Sequence, residues 1–294
     1  IYQKDVETFE VKEADGSHLG ILYLDYHPRA EKRGGAWCTD FQSAGWENDK
    51  KVDPIVSIVC NFTAPTGDVP ALLNWDETTT LFHEFGHALH GLFTLGKYNR
   101  TAGSVPRDYV ELPSQVMENW AGEPEVLRMY AKHYKTGEPI PAALVEKIKA
   151  SDTFNQGFAT VEYLSSAILD MKLHNRSTPV ADPAAFERDT LAEIGMPKEM
   201  VMRHRLPQFN HLFADDGYSA GYYSYLWSET MDADTWAAFT EKGDVWDKET
   251  AERFRSMLLA TGNETDRIEA YRAFRGRDPD VKYIMKKRGF PTGE

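Results

Sequence analysis

The stretch Leu81-Phe82-His83-Glu84-Phe85-Gly86-His87-Ala88-Leu89-His90 carries the most informative chemistry of the chain. His83 and His87 are four residues apart, so on a helix they lie one turn apart on the same face. Two imidazole nitrogens placed in this way can bind one zinc ion, each at about 2.0–2.1 Å. Glu84 follows the first histidine, where a carboxylate can act as general base toward a water molecule at the metal. The motif therefore predicts a catalytic zinc site.

A helix over residues 77–93, with Asp76 as its N-cap, is predicted to carry this motif. The helix has many apolar positions, namely Leu81, Phe82, Phe85, Ala88, Leu89 and Leu92. Histidines and a glutamate inside such a helix are costly unless they are paired or bound to a metal. The alternative is a metal-free core helix whose histidines hydrogen-bond to carbonyl groups.

The third metal ligand has to come from another part of the chain. His90 is excluded, because the seven residues that separate it from His83 correspond to about 10.5 Å of helical rise. A carboxylate on a second helix is the expected partner for a catalytic zinc that keeps one open position. The downstream candidates are Asp108, Glu111, Glu118 and Glu123. The residues alone favour Glu111 but leave the other three open. Glu118 suits a role in orienting a ligand imidazole, and Asp108 an ion pair with Arg107.

Strand character is confined to the beginning of the chain. Residues 6–12 and 19–25 flank a turn at Asp15-Gly16, which predicts an antiparallel hairpin. Two further strands are expected at residues 35–41 and 55–62, with a polar loop at residues 42–53 between them. Cys38 and Cys60 lie in these two strands and are expected to be free, buried thiols.

Helical patterns dominate after residue 70, among them residues 113–134, 154–174 and 219–241. No repeat or flexible linker interrupts them. We therefore predict one α+β domain over residues 1–294, predominantly α-helical. In it, a β-rich lobe of residues 1–70 forms a small antiparallel sheet that packs on the helical part, residues 71–294, with the zinc site.

The composition excludes several kinds of partner. Lys and Arg number 33 against 46 Asp and Glu, a net charge of −13, which is the wrong sign for binding nucleic acid. No apolar run approaches the roughly 20 residues needed to cross a bilayer, so we expect no membrane partner. The chain opens with Ile1-Tyr2-Gln3 and shows no secretory signal, so a cytoplasmic location is the expectation.

Several further strings occur in order along the chain: Gly34-Gly35-Ala36-Trp37, Cys60-Asn61-Phe62, Val110-Glu111-Leu112-Pro113-Ser114-Gln115, Glu118-Asn119-Trp120, His211-Leu212-Phe213, and Gly221-Tyr222-Tyr223-Ser224-Tyr225-Leu226-Trp227 after Tyr218. With these strings the sequence resembles the thimet oligopeptidase and dipeptidyl carboxypeptidase family of zinc metallopeptidases, which includes oligopeptidase A. The resemblance implies a zincin-like catalytic core. It also implies one zinc ion held by His83, His87 and Glu111, with Glu84 as general base.

The same resemblance places His211, Tyr218, Tyr222 and Tyr225 around the substrate and the developing oxyanion. On a helix that begins near residue 219, Tyr222 and Tyr225 would share a face, and phenol hydroxyls can donate to an oxyanion. Their neighbours Tyr223, Leu226 and Trp227 are expected to be core residues. The chain departs from the family between His211 and Tyr218, where Leu212-Phe213-Ala214-Asp215-Asp216-Gly217 replaces a glycine-rich loop.

Residues and resemblance together predict zinc-dependent hydrolysis of peptide bonds in short peptides, by an oligopeptidase or a peptidyl-dipeptidase. Family members are considerably longer, and their additional helical portion forms the opposite wall of a substrate channel. The present chain is therefore expected either to form a homodimer or to have an open cleft. The alternative function is a peptide-binding module that retains zinc but has little turnover.

Overall fold

The structure, a computed structural model that describes residues 1–293, begins with two small sheets. Their strands are β1 (Glu7–Lys12), β2 (His18–Asp25), β3 (Trp37–Gln42), β4 (Gly45–Glu47), β5 (Lys50–Val52) and β6 (Ile55–Val59). The larger sheet has the order β1-β2-β6-β3. β1 and β2 form the predicted antiparallel hairpin, with Glu7 opposite Leu24 and Val11 opposite Gly20.

The sheet is mixed, so the prediction of an antiparallel sheet is wrong. β6 pairs in parallel with β2 and antiparallel with β3. The long connection from β2 to β6 permits a parallel pair, which a short hairpin loop could not. β6 is also the most apolar strand, and Val56 and Ile58 are completely buried. A strand of this kind is most stable in the interior of the sheet, between two neighbours.

The predicted polar loop at residues 42–53 contains the hairpin of β4 and β5. Its two central residues, Asn48 and Asp49, have φ angles of 49° and 61°. Positive φ at both central positions is typical of the tight turn that matches the twist of two antiparallel strands, and Asn and Asp tolerate it well. The sequence signal for this hairpin was therefore present in the Asn-Asp pair.

Helices make up most of the remaining described chain, as predicted. They are α1 (Trp75–Phe93), α2 (Asn99–Ala102), α3 (Arg107–Val110), α4 (Leu112–Ala121), α5 (Pro124–Tyr130), α6 (Ala142–Asp152), α7 (Gln156–His174), α8 (Pro183–Glu193), α9 (Asn210–Phe213), α10 (Ser224–Thr240), α11 (Lys248–Arg253), α12 (Arg267–Arg275) and α13 (Lys282–Lys287). A 3₁₀ turn covers Leu206–Gln208, and α11 continues into a π-helical segment, Phe254–Leu259. Among residues 1–293, none of these helices has the length and apolar character needed to cross a membrane.

Two predicted helix boundaries are wrong. α1 is capped by Asn74 and not by Asp76, because Asn74 and Glu77 form a reciprocal capping box: Glu77 N–H donates to Asn74 Oδ1 at 2.8 Å, and Asn74 N–H donates to Glu77 Oε2 at 3.0 Å. The helix predicted over residues 113–134 is divided into α4 and α5. Pro124 explains the division, since its ring removes a backbone N–H and cannot lie inside a continuous helix.

α1 lies between the sheet and α4. Its residues Ala88 and Leu92 pack with Val56 and Ile58 of β6 in one buried apolar cluster. On the other side, Gly86 allows a very close approach to α4, since a Cβ atom at this position would lie 2.4 Å from the carbonyl oxygen of Pro113. This contact between two backbones brings the beginning of α4 beside the histidines of α1.

Candidate active site

The two helices bring the predicted metal ligands together. Glu111 is the residue immediately before α4, and its Oε2 lies 3.2 Å from His83 Nε2 and 3.2 Å from His87 Nε2. One ligand atom from each of the three residues falls within 4.8 Å of the others. Ligands bound to one tetrahedral zinc ion at about 2.0–2.2 Å are separated by roughly 3.3 Å. The donor set and its spacing therefore fit zinc.

Side chains of α4 hold two of these three residues in place. His83 Nδ1 lies 2.6 Å from Glu118 Oε1, and Ser114 Oγ donates to Glu111 Oε2 at 3.0 Å. A proton held on Nδ1 by a carboxylate leaves Nε2 with its lone pair toward a metal. The structure thus gives Glu118 the orienting contact that its sequence position suggested.

The electrostatics of the donor set favour positive charge. Burial alone would raise the pKa of Glu111, but the charge of His87 and hydrogen bonds from both histidines hold it well below its ordinary value. Burial alone would lower the pKa of His83, but hydrogen bonds with Glu111 and Glu118 raise it to about 10. Metal binding displaces such protons, because a ligand imidazole has to be neutral. A divalent cation would thus take the place of the protons.

Glu84 is buried beside these ligands, with only 4% of its surface exposed. Its Oε2 has no hydrogen-bond partner within residues 1–293, although Glu84 belongs to the lining of the cleft. Burial raises its pKa, against the opposing charges of His83 and His87. An unpartnered carboxylate oxygen is costly inside a protein, and a functional site is the usual reason for it.

His90 is not one of these ligands, in agreement with the argument from helical rise. Its side chain is buried, and burial, with the charge of His87, lowers its pKa to about 3. His90 is therefore a neutral histidine that also borders the cleft.

The cleft has a volume of about 1070 Å³. One wall consists of Arg33 to Ala44, which includes the edge strand β3, and another consists of α1. The third wall comes from residues 210–225, and of the predicted residues it contributes His211, Tyr218 and Tyr225. Glu84, the donor set and the two tyrosines thus border one cleft.

The helix predicted from residue 219 begins only at Ser224, so Tyr222 and Tyr225 do not share a helix face. Gly221 and Ala220, whose φ is 55°, account for the difference, because a left-handed residue ends regular helical geometry and glycine disfavours it. Residues 218–223 form a series of turns, which we call the tyrosine turn.

Tyr218 contacts the donor set, and Tyr225 is hydrogen-bonded to Tyr218. The rings of Tyr218 and Tyr225 are nearly parallel, with centroids 5.6 Å apart and an interplanar angle of 6°. Their hydroxyl oxygens are 2.8 Å apart, and the Tyr218 hydroxyl lies 3.5 Å from Glu111 Oε1. Burial raises the pKa of both phenols, so both are neutral hydrogen-bond donors.

Tyr222 and His211 lie behind and beside this pair. Tyr222 is 6% exposed and packs its ring 5.5 Å from His211 and 5.5 Å from Tyr225, but it is not among the residues that line the cleft. His211 lines the cleft, and burial, with the charges of His204 and Arg203, lowers its pKa. His211 is therefore a neutral imidazole at the tyrosine wall.

Several expectations for neighbouring residues change. Tyr223 and Trp227 are 40% and 48% exposed, so they are not core residues. Asp108 accepts a hydrogen bond from the Tyr223 hydroxyl at 3.0 Å, whereas Arg107 stacks on Tyr218 at 4.3 Å and donates to the carbonyl of Gly217 at 3.0 Å. The sequence suggests only an ion pair between Arg107 and Asp108, because the two opposite charges are adjacent. The contacts that both residues make with a turn far away in the sequence leave no local signal.

The prediction of two free, buried thiols is confirmed except for the burial of Cys38. Both are free within the described chain; Cys60 is fully buried and Cys38 partly buried. Burial raises the pKa of both thiols well above its ordinary value, which disfavours the reactive thiolate. Neither thiol is therefore a nucleophile in this site.

The sequence is similar to those of known proteins. The model of "Peptidase family M3" matches residues 1–290. A dipeptidyl carboxypeptidase of Salmonella typhimurium is 40% identical, with 98% of this chain and 42% of that protein covered. An oligopeptidase A of Escherichia coli is 38% identical, with 98% and 43% covered. The chain therefore spans less than half the length of these curated relatives.

Solved structures show a related fold. A protein assigned as an oligoendopeptidase F of Bacillus anthracis strain Ames superimposes with a TM-score of 0.54 at 15% sequence identity. The superposition covers 90% of this chain and 39% of that chain. At this identity the likeness concerns the fold alone.

Proposed function

The chain belongs to peptidase family M3, and on that basis we propose that it hydrolyses peptide bonds in short peptides as a zinc metallopeptidase. One observation carries the proposal. The His83, His87 and Glu111 donor set and the unpartnered carboxylate of Glu84 lie in one cleft. The names of two relatives, dipeptidyl carboxypeptidase and oligopeptidase A, support peptides as the substrate class.

In this proposal His83, His87 and Glu111 hold one zinc ion, and Glu118 orients His83 through its Nδ1. Zinc, when bound, supplies a Lewis acid that polarises the scissile carbonyl and lowers the pKa of water. Two ligands on α1 and one at the start of α4 suit this task, since the packing of the two helices fixes their geometry before the substrate arrives.

Glu84 is the proposed general base. Its carboxylate accepts a proton from the attacking water and then donates that proton to the nitrogen of the leaving amine. A pKa raised by burial suits both steps, because proton transfer is most efficient when the pKa is close to the working pH.

Tyr225 and Tyr218 are the proposed donors to the oxyanion that forms on the carbonyl oxygen. When Tyr218 donates in the bond between them, and not to Glu111 Oε1 at 3.5 Å, the O–H of Tyr225 is left for the substrate. His211 is proposed to contact the substrate as a neutral imidazole in the same wall. Tyr222, which the family resemblance also assigns to catalysis, stays a prediction, with its ring as the support of His211 and Tyr225.

Other expectations also remain predictions. They are the single domain over residues 1–294, the homodimer or open cleft, and the cytoplasmic location. Light scattering shows directly whether the chain forms a homodimer. Mass analysis of the products separates release of C-terminal dipeptides from cleavage of internal bonds.

The function is tested with an internally quenched peptide, with and without a chelator, on the wild type and Glu84→Gln. We expect the chelator to abolish cleavage, and Glu84→Gln to keep its zinc while kcat falls by about 10²–10⁴. Glu123→Gln, a partly buried glutamate that lies outside the cleft lining, is the matched control and should cleave as the wild type does.

Two results would contradict the proposal. If the activity of Glu84→Gln lies within tenfold of that of the wild type, Glu84 is not the general base. Zinc retention without any cleavage by the wild type indicates instead the zinc-retaining peptide-binding module.

A further inference from the structure

A buried aspartate on α7 accepts two hydrogen bonds from the backbone of the tyrosine turn. Asp170 is completely buried, and no part of the donor set touches it in the described chain. The N–H of Ala220 donates to Asp170 Oδ1 at 3.0 Å, and the N–H of Tyr222 donates to Asp170 Oδ2 at 2.9 Å. Both carboxylate oxygens are thus engaged by one turn that is 50 and 52 residues away in the sequence.

The backbone between these two N–H groups is strained. Ala220 has a φ of 55°, a left-handed conformation that residues with a Cβ atom disfavour. Such residues persist only where the surrounding structure enforces the conformation, and they cluster at functional sites. Backbone N–H groups around a left-handed residue can form a concave site for an anion, and here that anion is the carboxylate of Asp170.

A second residue of α7 holds the same turn. Tyr163 precedes Asp170 by seven residues, or two helical turns, so both side chains project from one face of α7. Its hydroxyl donates to the carbonyl oxygen of Tyr222 and accepts from the N–H of Leu226 at 3.2 Å. The ring of Tyr163 also stacks on that of Tyr222, with centroids 5.5 Å apart.

His174 completes the arrangement on the last turn of α7. Its Nδ1 lies 2.7 Å from Asp170 Oδ1, which fixes the carboxylate against the helix. Residues of α7 that do not line the cleft therefore hold the backbone of the tyrosine turn at Ala220 and Tyr222.

We propose that Asp170 is a positioning residue, supported by Tyr163, which sets the tyrosine turn so that Tyr218 meets Tyr225 beside Glu111. The inference rests on the peptidase function proposed above. Oxyanion donors act mainly in the transition state, and displacements near 1 Å in an active site cost about 10² in rate. Loss of a hydrogen bond between Asp170 and the turn should thus lower kcat, with little change in KM or in zinc binding.

The main test compares Asp170→Asn with Glu187→Gln. An asparagine offers one acceptor and turns an NH₂ group toward the second N–H of the turn, so one of the two bonds is lost. Glu187 is a matched control, since it is also buried and accepts a backbone N–H, that of Leu206, outside the tyrosine turn. We expect kcat of Asp170→Asn to fall by about 10–10² with KM within threefold. Zinc content should equal that of Glu187→Gln.

Hydrogen exchange of the amides of Ala220 and Tyr222 provides a readout that does not depend on activity. The exchange of at least one of these two amides should accelerate at least tenfold in Asp170→Asn, whereas both should exchange at the wild-type rate in Glu187→Gln. If these amides exchange at the wild-type rate, or if kcat equals that of the control, the proposal is overturned. If the wild type has no activity, the peptidase function is contradicted instead. The exchange result then still tests whether Asp170 holds the tyrosine turn.

Two further variants separate positioning from a loss of folding. If Asp170→Asn does not fold, Tyr163→Phe takes its place. This variant removes only the hydroxyl that bonds to the tyrosine turn, and it should still lower kcat by a larger factor than it changes KM. Where Asp170→Asn folds, adding Ala220→Gly should restore at least threefold in kcat, because glycine adopts the left-handed conformation without strain. Unchanged kcat in Tyr163→Phe, or no recovery in the double variant, contradicts the proposal.

Discussion

The two walls that meet at Glu111 are built in opposite ways. The metal wall consists of helices, and His83, His87 and Glu118 hold their positions through helical spacing and the close packing of α1 against α4. The tyrosine wall consists of turns before α10, and its shape depends on α7 and on the strained Ala220. Ligands of a metal need a rigid frame, whereas donors to an oxyanion need a precise position that a turn can provide only when other elements fix it.

The largest effect should come from the metal wall. Glu111→Ala removes the only carboxylate of the donor set in the described chain, so zinc should be absent after dialysis and cleavage should stop. Glu118→Ala should keep zinc with an affinity lower by about 10–100-fold, because it removes the orienting contact only. Metal analysis at equal protein concentration checks both. If Glu111→Ala keeps its full zinc content and Glu118→Ala loses zinc, Glu118 is the ligand and Glu111 is the orienting residue.

The contrast between the walls also explains what the sequence could predict. His83, Glu84 and His87 follow from helical periodicity within five residues, so no tertiary information is needed. Glu111 was one of four candidate carboxylates until the family resemblance chose it. Its proximity to the histidines depends on the close contact of Gly86 with α4, which no local pattern reveals.

Long-range contacts account for the errors in the fold. The parallel pairing of β2 with β6 joins segments 30 or more residues apart, and a local alternation pattern has no direction. The sequence predicts helix for the tyrosine turn because its tyrosines have ordinary helical spacing. The side chains that bind the N–H of the left-handed Ala220, those of Asp170 and His174, lie 50 and 46 residues away. The sequence therefore predicts the metal wall well and the tyrosine wall by resemblance alone.

On the tyrosine wall, Tyr225→Phe should have the largest effect. Removal of one oxyanion donor should reduce kcat by about 10²–10³ while KM changes little. Tyr223→Phe is the matched control, since Tyr223 is two residues away, 40% exposed and bonded to Asp108 instead of lining the cleft. Steady-state kinetics on one peptide suffice. Equal kcat values for the two variants would remove Tyr225 from the reaction.

The contact between α1 and α4 can be weakened without touching a ligand. In Gly86→Ala the new Cβ atom would lie 2.4 Å from the Pro113 carbonyl oxygen, so α4 has to move away together with Glu111. We expect a destabilisation of about 1–3 kcal/mol and weaker zinc binding. Gly157→Ala in α7 is the control, because nothing lies within 4 Å of its Cβ position and alanine favours helix. Denaturant unfolding with and without zinc measures both.

The smallest effect should come from Tyr222→Phe, and it decides how much of the tyrosine wall acts on the substrate directly. The Tyr222 ring supports His211 and Tyr225, while its backbone N–H and carbonyl are held by Asp170 and Tyr163. None of these contacts uses its hydroxyl, so Phe should preserve them. We expect kcat within about tenfold of the wild type, well below the loss of about 10²–10³ for removing an oxyanion donor. A loss as large as that of Tyr225→Phe would show that the Tyr222 hydroxyl donates in the transition state, as the family resemblance implies, and that the ring moves into the cleft when the substrate binds.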